Sequence, residues 1–219
     1  MILTLERAGQ RLCLLPEKAV FLPDSHTLLV ADMHLGKAAT FCRLGVPVPQ
    51  ATNVESLQTL ATLVVRWQVQ RVVFLGDFLH AADAHDPPTQ AAFLQWRHQS
   101  SHAALSLVLV RGNHDQHAGD PPGSWGVTPV DEPWFCEGLT LLHHPSAAPE
   151  EAALCLAGHE HPCVHVHGRG RDQLRLPCFH ERGNVLVLPS FGAFTGMHAV
   201  TARPGHALYA VAGDRVMVV

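Results

Sequence analysis

The sequence has no Cys-x-x-Cys spacing, no block of like charge, no internal repeat, no low-complexity tract and no linker. Each absence removes a class of protein. The six cysteines (Cys13, Cys42, Cys136, Cys155, Cys163 and Cys178) stand apart and without secretory context. They are expected to be buried free thiols, not a disulfide framework or a thiolate zinc site. No uncharged apolar run reaches the roughly 18 residues that a membrane-spanning helix needs. The opening stretch MILTLERAG is broken by Glu6 and Arg7 before it could form a signal-peptide core. The expectation is a soluble, cytoplasmic protein. A formal net charge of -4 argues against a surface that coats itself in nucleic acid, while leaving a local basic groove open. Charged residues are only 16% of the chain against 47% apolar, a balance that excludes disorder. The expectation is one globular domain over residues 1–219 with a substantial core.

What the chain has in excess is histidine, 17 in 219 residues. Imidazole is the commonest protein ligand for transition metals, so histidine spacing becomes the question. Several short apolar runs end in polar, chemically capable residues. Thr27 to Ala31 runs into Asp32-Met33-His34, and Arg71 to Leu75 into Gly76-Asp77. Leu105 to Val110 precedes Arg111-Gly112-Asn113-His114-Asp115. Leu139 to Leu142 precedes His143-His144, and Ala152 to Ala157 precedes Gly158-His159-Glu160-His161. Runs of this length and composition read as buried strands. Side chains at their ends converge on one rim of a sheet, where α/β proteins bind ligands.

Helices are expected between the early strands. One follows a Thr52/Glu55 capping box, with apolar residues at helical spacing to Trp67, and another spans Pro88 to Arg97. The order β-α-β-α-β implies parallel strands with helices on the faces. The second half carries a hairpin turn at Glu137-Gly138 and further strands at Val164 to Val166, Val185 to Leu188, Ala207 to Val211 and Val216 to Val219. A mixed sheet, or two sheets packed as a sandwich, is therefore expected.

The ordered pattern Asp-x-His, Gly-Asp-x-x-His, Gly-Asn-His-Asp, His, Gly-His-x-His over residues 32 to 161 resembles the calcineurin-like metallophosphoesterase superfamily. That resemblance implies an α/β four-layer α/β/β/α sandwich with mixed sheets and two divalent metal ions at strand ends. Asp32, His34, Asp77 and His161 would hold one ion. Asp77 would bridge to the other, completed by Asn113, His143 and His159. His143 and His144 are adjacent, and the family's ligand sits first after the strand, which selects His143. His114 would contact the phosphate, Asp115 would orient that imidazole, and His80 would assist the leaving group.

Carboxylate, amide oxygen and imidazole form a hard-to-borderline ligand set suited to Mn²⁺, the favoured ion, or to Fe or Zn²⁺. Two such ions clamp phosphate oxygens and generate a bridging hydroxide nucleophile near neutral pH.

Two further segments narrow the resemblance. They are Asp32-Met33-His34-Leu35-Gly36-Lys37, followed by Phe41-Cys42-Arg43-x-Gly45-x-Pro47-x-Pro49, and Leu188 to Gly196. Both are similar to a bacterial branch of ligase-associated DNA damage response endonucleases, PdeM type. The branch implies a phosphodiesterase cutting single-stranded DNA in repair, associated with an Lhr-type helicase and a DNA ligase. Lys37, Arg43 and Arg111 are candidate substrate-binding residues, with Arg169, Arg171, Arg175 and Arg182 as a possible basic track. Phe191 and Phe194 are expected in the core, and His165 and His167 on an exposed strand face. His26, His85, His98, His102, His117, His180, His198 and His206 show no partner by spacing. The alternative function is a small-molecule phosphoesterase acting on a cyclic nucleotide, a phosphomonoester or a nucleotide-sugar lipid.

Overall fold

A computed structural model describes residues 1–43, 51–99, 102, 104–167, 173–193 and 195–219. Gly45, Pro47, Pro49, Arg169, Arg171 and Phe194 lie outside the described residues.

Two mixed sheets pack face to face. The first runs in sequence order through β1 (Leu3–Arg7), β2 (Gln10–Leu15), β3 (Ala19–Leu22), β4 (Thr27–Val30), β5 (Arg71–Leu75), β6 (Ser106–Val110) and β7 (Val127–Val130). Its first four strands form an antiparallel meander, and β4 to β7 are parallel. Helices α1 (Lys37–Arg43) and α2 (Ala51–Arg66) separate β4 from β5. Helix α3 (Pro87–Arg97) separates β5 from β6, and the short α4 (Asn113–Ala118) follows β6. Thr52 falls inside α2 and not before it, so the expected capping box is not its start. Helix α3 begins one residue earlier than expected, with the Asp86 carboxylate accepting the Thr89 amide and Pro87 in the first turn.

The second sheet is built from β8 (Trp134–Cys136), β9 (Leu139–Leu141), β10 (Cys155–Ala157), β11 (Pro162–His167), β12 (Gln173–Arg182), β13 (Val185–Val187), β14 (His198–Ala199), β15 (His206–Ala212) and β16 (Arg215–Val218). The Glu137-Gly138 hairpin is present between β8 and β9, with φ of 54° and 76° at its two turn residues. Two left-handed residues give the turn the twist that flanking strands require.

Side-chain alternation explains the layers. On β4, β5 and β6, Leu28, Val30, Val72, Phe74, Leu107 and Leu109 pack against Leu60 and Leu63 of α2 and Phe93 and Trp96 of α3. The intervening residues Leu29, Val73, Leu75, Val108 and Val110 face Leu141, Leu156, Phe179, Leu186 and Tyr209 of the second sheet. The expected α/β/β/α sandwich is present, but its fourth layer is thin. Among the described residues, the outer face of the second sheet is covered by a 3-10 turn (Pro145–Ala147) and loops around Ala148 and Ala152. Cys13, Cys155, Cys163 and Cys178 are buried free thiols, and Cys136 is half-buried and free. Phe191 belongs to the core. No helix among the described residues is long and apolar enough to cross a membrane.

Candidate metal centre

The parallel strands deliver the site. Asp32 and His34 follow β4, Asp77 follows β5, Asn113 follows β6, His143 follows β9, and His159 and His161 follow β10. The chain turns sharply at these exits. Positive φ values occur at Asp32 (54°), His34 (48°), Asp77 (49°), His159 (73°) and His161 (48°). Left-handed backbone at a residue with a side chain costs on the order of 1–3 kcal/mol and clusters at functional sites. Backbone pairing holds the strained loops together, with the Asp32 amide donating to Gly76 O at 3.2 Å and the His34 amide to Asp77 O at 2.8 Å.

Imidazole orientation is set by backbone carbonyls. His143 Nδ1 donates to Leu75 O at 3.1 Å, and His161 Nδ1 to Gly196 O at 3.0 Å. A carbonyl only accepts, so in each neutral ring Nε2 keeps its lone pair. The His143 Nε2 lies 3.0 Å from Asn113 Oδ1, 3.0 Å from His159 Nδ1 and 3.4 Å from Asp77 Oδ1. His161 Nε2 lies 3.4 Å from His34 Nε2 and 3.4 Å from Asp32 Oδ1. These are two adjoining clusters of acceptors joined through Asp77, whose other oxygen is 3.9 Å from His34 Nε2.

The electrostatics of the clusters suit bound cations. Asp32 is fully buried and Asp77 is 3% exposed. Burial, followed by the charge of Asp32, pushes the Asp77 carboxyl above its usual range. Burial likewise pushes His34 far down and His143 down, so both rings are neutral. Buried charges without partners are costly, and coordination is one of the few arrangements that satisfies them. Asp32, His34 and His161 bring ligand atoms within 4.8 Å of one another, as do Asp32, Asp77 and His143, and His143, His144 and His159. The seven expected metal ligands are therefore brought together, and their donor types fit divalent ions.

His114 and His80 flank this centre. His114 Nδ1 donates to the His80 carbonyl at 2.6 Å, and its Nε2 is 4.0 Å from Asp77 Oδ2. The two rings stack at 5.0 Å, and His80 also meets the His34 ring edge-on at 5.3 Å. Asp115 departs from expectation. Its carboxylate accepts the amides of Leu79 (2.9 Å), Gly112 (2.9 Å) and Phe78 (3.3 Å). Asp115 thus ties the β5 exit to the start of α4, and the His80 carbonyl performs the task of orienting His114. Burial pushes the Asp115 carboxyl up to about 6, against the pull of those amides.

The substrate-binding candidates also divide. Lys37 is half-buried beside the centre; burial lowers its pKa while Asp77 raises it. Arg111 is committed elsewhere, bidentate to Asp120 at 2.7 and 2.8 Å and bonded to Asp131 at 2.8 Å. Arg43 is paired with Asp83. Arg182 grips Glu160 at 2.6 and 3.0 Å, and Arg175 donates to Met197 O and Cys163 Sγ. These arginines brace loops by ion pairs and hydrogen bonds that spacing along the chain did not reveal.

Three groups support the centre: Glu132, which went unread in the sequence, and Ser190 and Gly192 of the resemblance-bearing segment Leu188 to Gly196. Glu132 accepts the amides of His143 (2.7 Å) and His144 (2.9 Å) on one oxygen and His144 Nδ1 (2.6 Å) on the other. That pairing ties His144 to Glu132, while the His143 ring turns to Asn113 and Asp77. Ser190 and Gly192 donate to Asp32 O at 2.8 and 3.2 Å.

Comparison with known proteins agrees with this geometry. The calcineurin-like phosphoesterase family profile matches residues 25–188. The crystal structure of the Pseudomonas putida nuclease MPE is 41% identical, with 100% of both chains covered and a TM-score of 0.84. Yfce, a phosphoesterase from E. coli, is 18% identical over 88% of this chain and 91% of that one, at a TM-score of 0.41. Among curated proteins none matches the chain. A buried acceptor set at the strand ends, inside a family profile that spans most of the sequence, has one reading: the chain belongs to the calcineurin-like phosphoesterase family and is a metal-dependent phosphoester hydrolase.

Proposed function

We propose that the chain is a phosphodiesterase using two divalent cations, Mn²⁺ by preference, and that it acts as an endonuclease on single-stranded DNA during repair in the cytoplasm. One observation carries the reading. The Nε2 lone pairs of His143 and His161 turn toward the buried carboxylates of Asp77 and Asp32 on a rim where His114 and His159 are solvent-accessible. An accessible rim of this kind admits a continuous strand. Full-length similarity to a nuclease supports a nucleic-acid substrate, and similarity to the ligase-associated branch supports a functional association with an Lhr-type helicase and a DNA ligase. Fe or Zn²⁺ would suit the same oxygen and imidazole donors.

Asp32, His34, Asp77 and His161 would hold one ion, and Asp77, Asn113, His143 and His159 the other. Bound there, the pair supplies Lewis acidity toward the phosphate oxygens and toward water. The chain's own groups do the rest. His114 stands with Nε2 toward the centre, where its doubly protonated ring would donate to a phosphate oxygen as charge builds there. His80, stacked beside it, would give a proton to a departing alkoxide. Glu132 and Asp115 keep the loops in register.

A second reading is favoured by the pairing of Arg43 and Arg111 with aspartates, which removes charge from the expected basic track. It is a small-molecule phosphoesterase acting on a cyclic nucleotide, a phosphomonoester or a nucleotide-sugar lipid. The test presents single-stranded circular DNA, duplex DNA and a chromogenic diester to the purified protein with Mn²⁺, Mg²⁺ or Zn²⁺. Nicking of the single-stranded circle is expected, abolished by chelator and by Asp77→Ala or His159→Ala. A protein that hydrolyses the diester and leaves both DNAs intact overturns the endonuclease reading and favours the second.

A further inference from the structure

Beside the metal centre lies a depression of about 530 Å³ whose wall includes His159, Glu160, His180, Arg182, Arg203 and His206. Its size is within the roughly 300–1,000 Å³ of pockets that hold small organic ligands. His159 is common to this depression and to the candidate metal cluster, so the two adjoin at that side chain. Three strands and two loops build it, with His198 and Ala199 of β14 on one side. His180 and Arg182 lie on β12, His206 begins β15, Glu160 follows β10, and Arg203 lies in the segment leading to β15.

The chemistry of the wall is anion-directed on a chain of net charge -4. Glu160 is occupied by its two bonds to Arg182. Arg203 is exposed, and among the described residues its side chain has no carboxylate partner. The two histidines form one unit. His180 Nε2 lies 2.9 Å from His206 Nδ1, their rings 4.9 Å apart, across the β12–β15 pairing. His180 is 3% exposed, and its Nδ1 has no hydrogen-bond partner among the described residues. Burial holds it down to about 4, so it enters as a neutral ring. A buried polar atom without a partner is rare in folded proteins, and it marks a wall not optimised for stability alone.

We propose that this depression is a second phosphate subsite, which binds the phosphate next to the one cleaved at the metal centre, with Arg203 as its principal contact. The inference rests on the polynucleotide reading above and adds direction to it. A strand whose scissile phosphate sits at the cations continues past His159 into a wall of guanidinium and imidazole donors. Arg203 supplies the charge, Arg182 is held rigid by Glu160, and the His180–His206 pair supplies a hydrogen-bond donor whichever ring holds the shared proton. A nuclease that grips one neighbouring phosphate needs at least one nucleotide on that side of the cut.

Three thymidine dinucleotides separate the outcomes: TpT, and the same compound with a phosphate on its 5′ end or on its 3′ end. With Mn²⁺, the wild type should cut one phosphorylated form roughly tenfold faster at low substrate concentration, the effect of about one charge-assisted hydrogen bond. Arg203→Ala should erase that preference while leaving hydrolysis of bis-p-nitrophenyl phosphate unchanged. It should also reduce by about 0.7 the log–log salt slope of binding to a single-stranded oligonucleotide. Equal rates on all three dinucleotides in the wild type, or a preference that survives in Arg203→Ala, overturns the subsite. A wild type that hydrolyses the chromogenic diester but none of the dinucleotides overturns the polynucleotide reading, and the subsite with it.

Discussion

His114 is oriented by the backbone of His80 and not by its side chain: Nδ1 donates to that carbonyl at 2.6 Å, while the two rings stack 5.0 Å apart. One residue thus contributes twice, through a carbonyl that survives substitution and an imidazole that does not.

This separates two variants. His114→Ala removes the group facing the centre and should lower kcat on every diester by about 10²–10³, the usual cost of losing one such stabilising donor. His80→Ala leaves the carbonyl and so the His114 orientation. It should slow diesters with alkoxide leaving groups by about 10²-fold or more and nitrophenyl esters far less. Rates on paired substrates for both variants decide it. A His80→Ala protein matching wild type on all of them would remove His80 from the leaving-group role.

Glu132 is the main support of the His143 strand exit, accepting two amides and one imidazole. Glu132→Ala leaves two backbone donors without partners, at about 1–3 kcal/mol each where they are buried. It also frees His144 to compete with His143. Denaturant midpoint and metal titration should show a loss of stability of that order and metal binding weakened roughly 10–100-fold. Glu132→Gln, which keeps an acceptor, should recover part of both. Unaltered metal affinity in Glu132→Ala would dismiss this role.

Gly76 has φ of +75°, and a Cβ there would overlap the His143 ring. Gly213, with φ of +60°, has nothing within 4 Å of such an atom. Both substitutions to alanine pay the left-handed backbone cost, about 1 kcal/mol or slightly more. Only Gly76→Ala must also displace a buried ligand, which adds overpacking of about 1–3 kcal/mol and should abolish activity. Thermal melts and diester hydrolysis of the two proteins provide the comparison, and equal behaviour would contradict the packing seen at His143.

Lys18 sits under the loop after β13, its Nζ donating to Phe191 O at 3.0 Å and Gly192 O at 3.3 Å. Burial pushes it down to about 8, against the pull of Glu55. Between pH 8 and its unfolded value near 10.5, the unfolded chain keeps a proton the folded one has shed. Stability therefore rises with pH through that window on account of this group. Unfolding curves of wild type and Lys18→Met across pH 7.5 to about 10.5 should diverge, with the wild type gaining relative to the variant as pH climbs. Parallel curves would show that Lys18 titrates normally.

Fold and site were legible to different depths. The strands ending in candidate ligands could be read because a strand buried on both faces is a continuous apolar run, and Asp32, Asp77, Asn113, His143 and His159 stand out sharply where it stops. Helix α3 was equally plain, though its Asp86 cap, visible in Asp86-Pro87-Pro88-Thr89, was passed over. The antiparallel meander β1–β3 went unread because no chemically capable residue marks the ends of those strands. Strand β12 was missed because charged residues interrupt it, and α4 because six residues are too few to show a helical period.

The order and identity of the candidate metal-binding residues belong to the sequence alone, since coordination chemistry restricts which side chains could hold a metal at those strand ends. Which arginines are free and which are tied was decided only in three dimensions. Arg111 meets Asp120 and Asp131, Arg43 meets Asp83, and Arg182 meets Glu160, while Arg203 meets no carboxylate among the described residues. The same holds for Glu132 beneath His143 and for Asp115 gripping amides instead of an imidazole. Charge pairing and hydrogen bonding act over a few ångströms of space, and the chain brings those groups near one another only after the two sheets have closed on their common core.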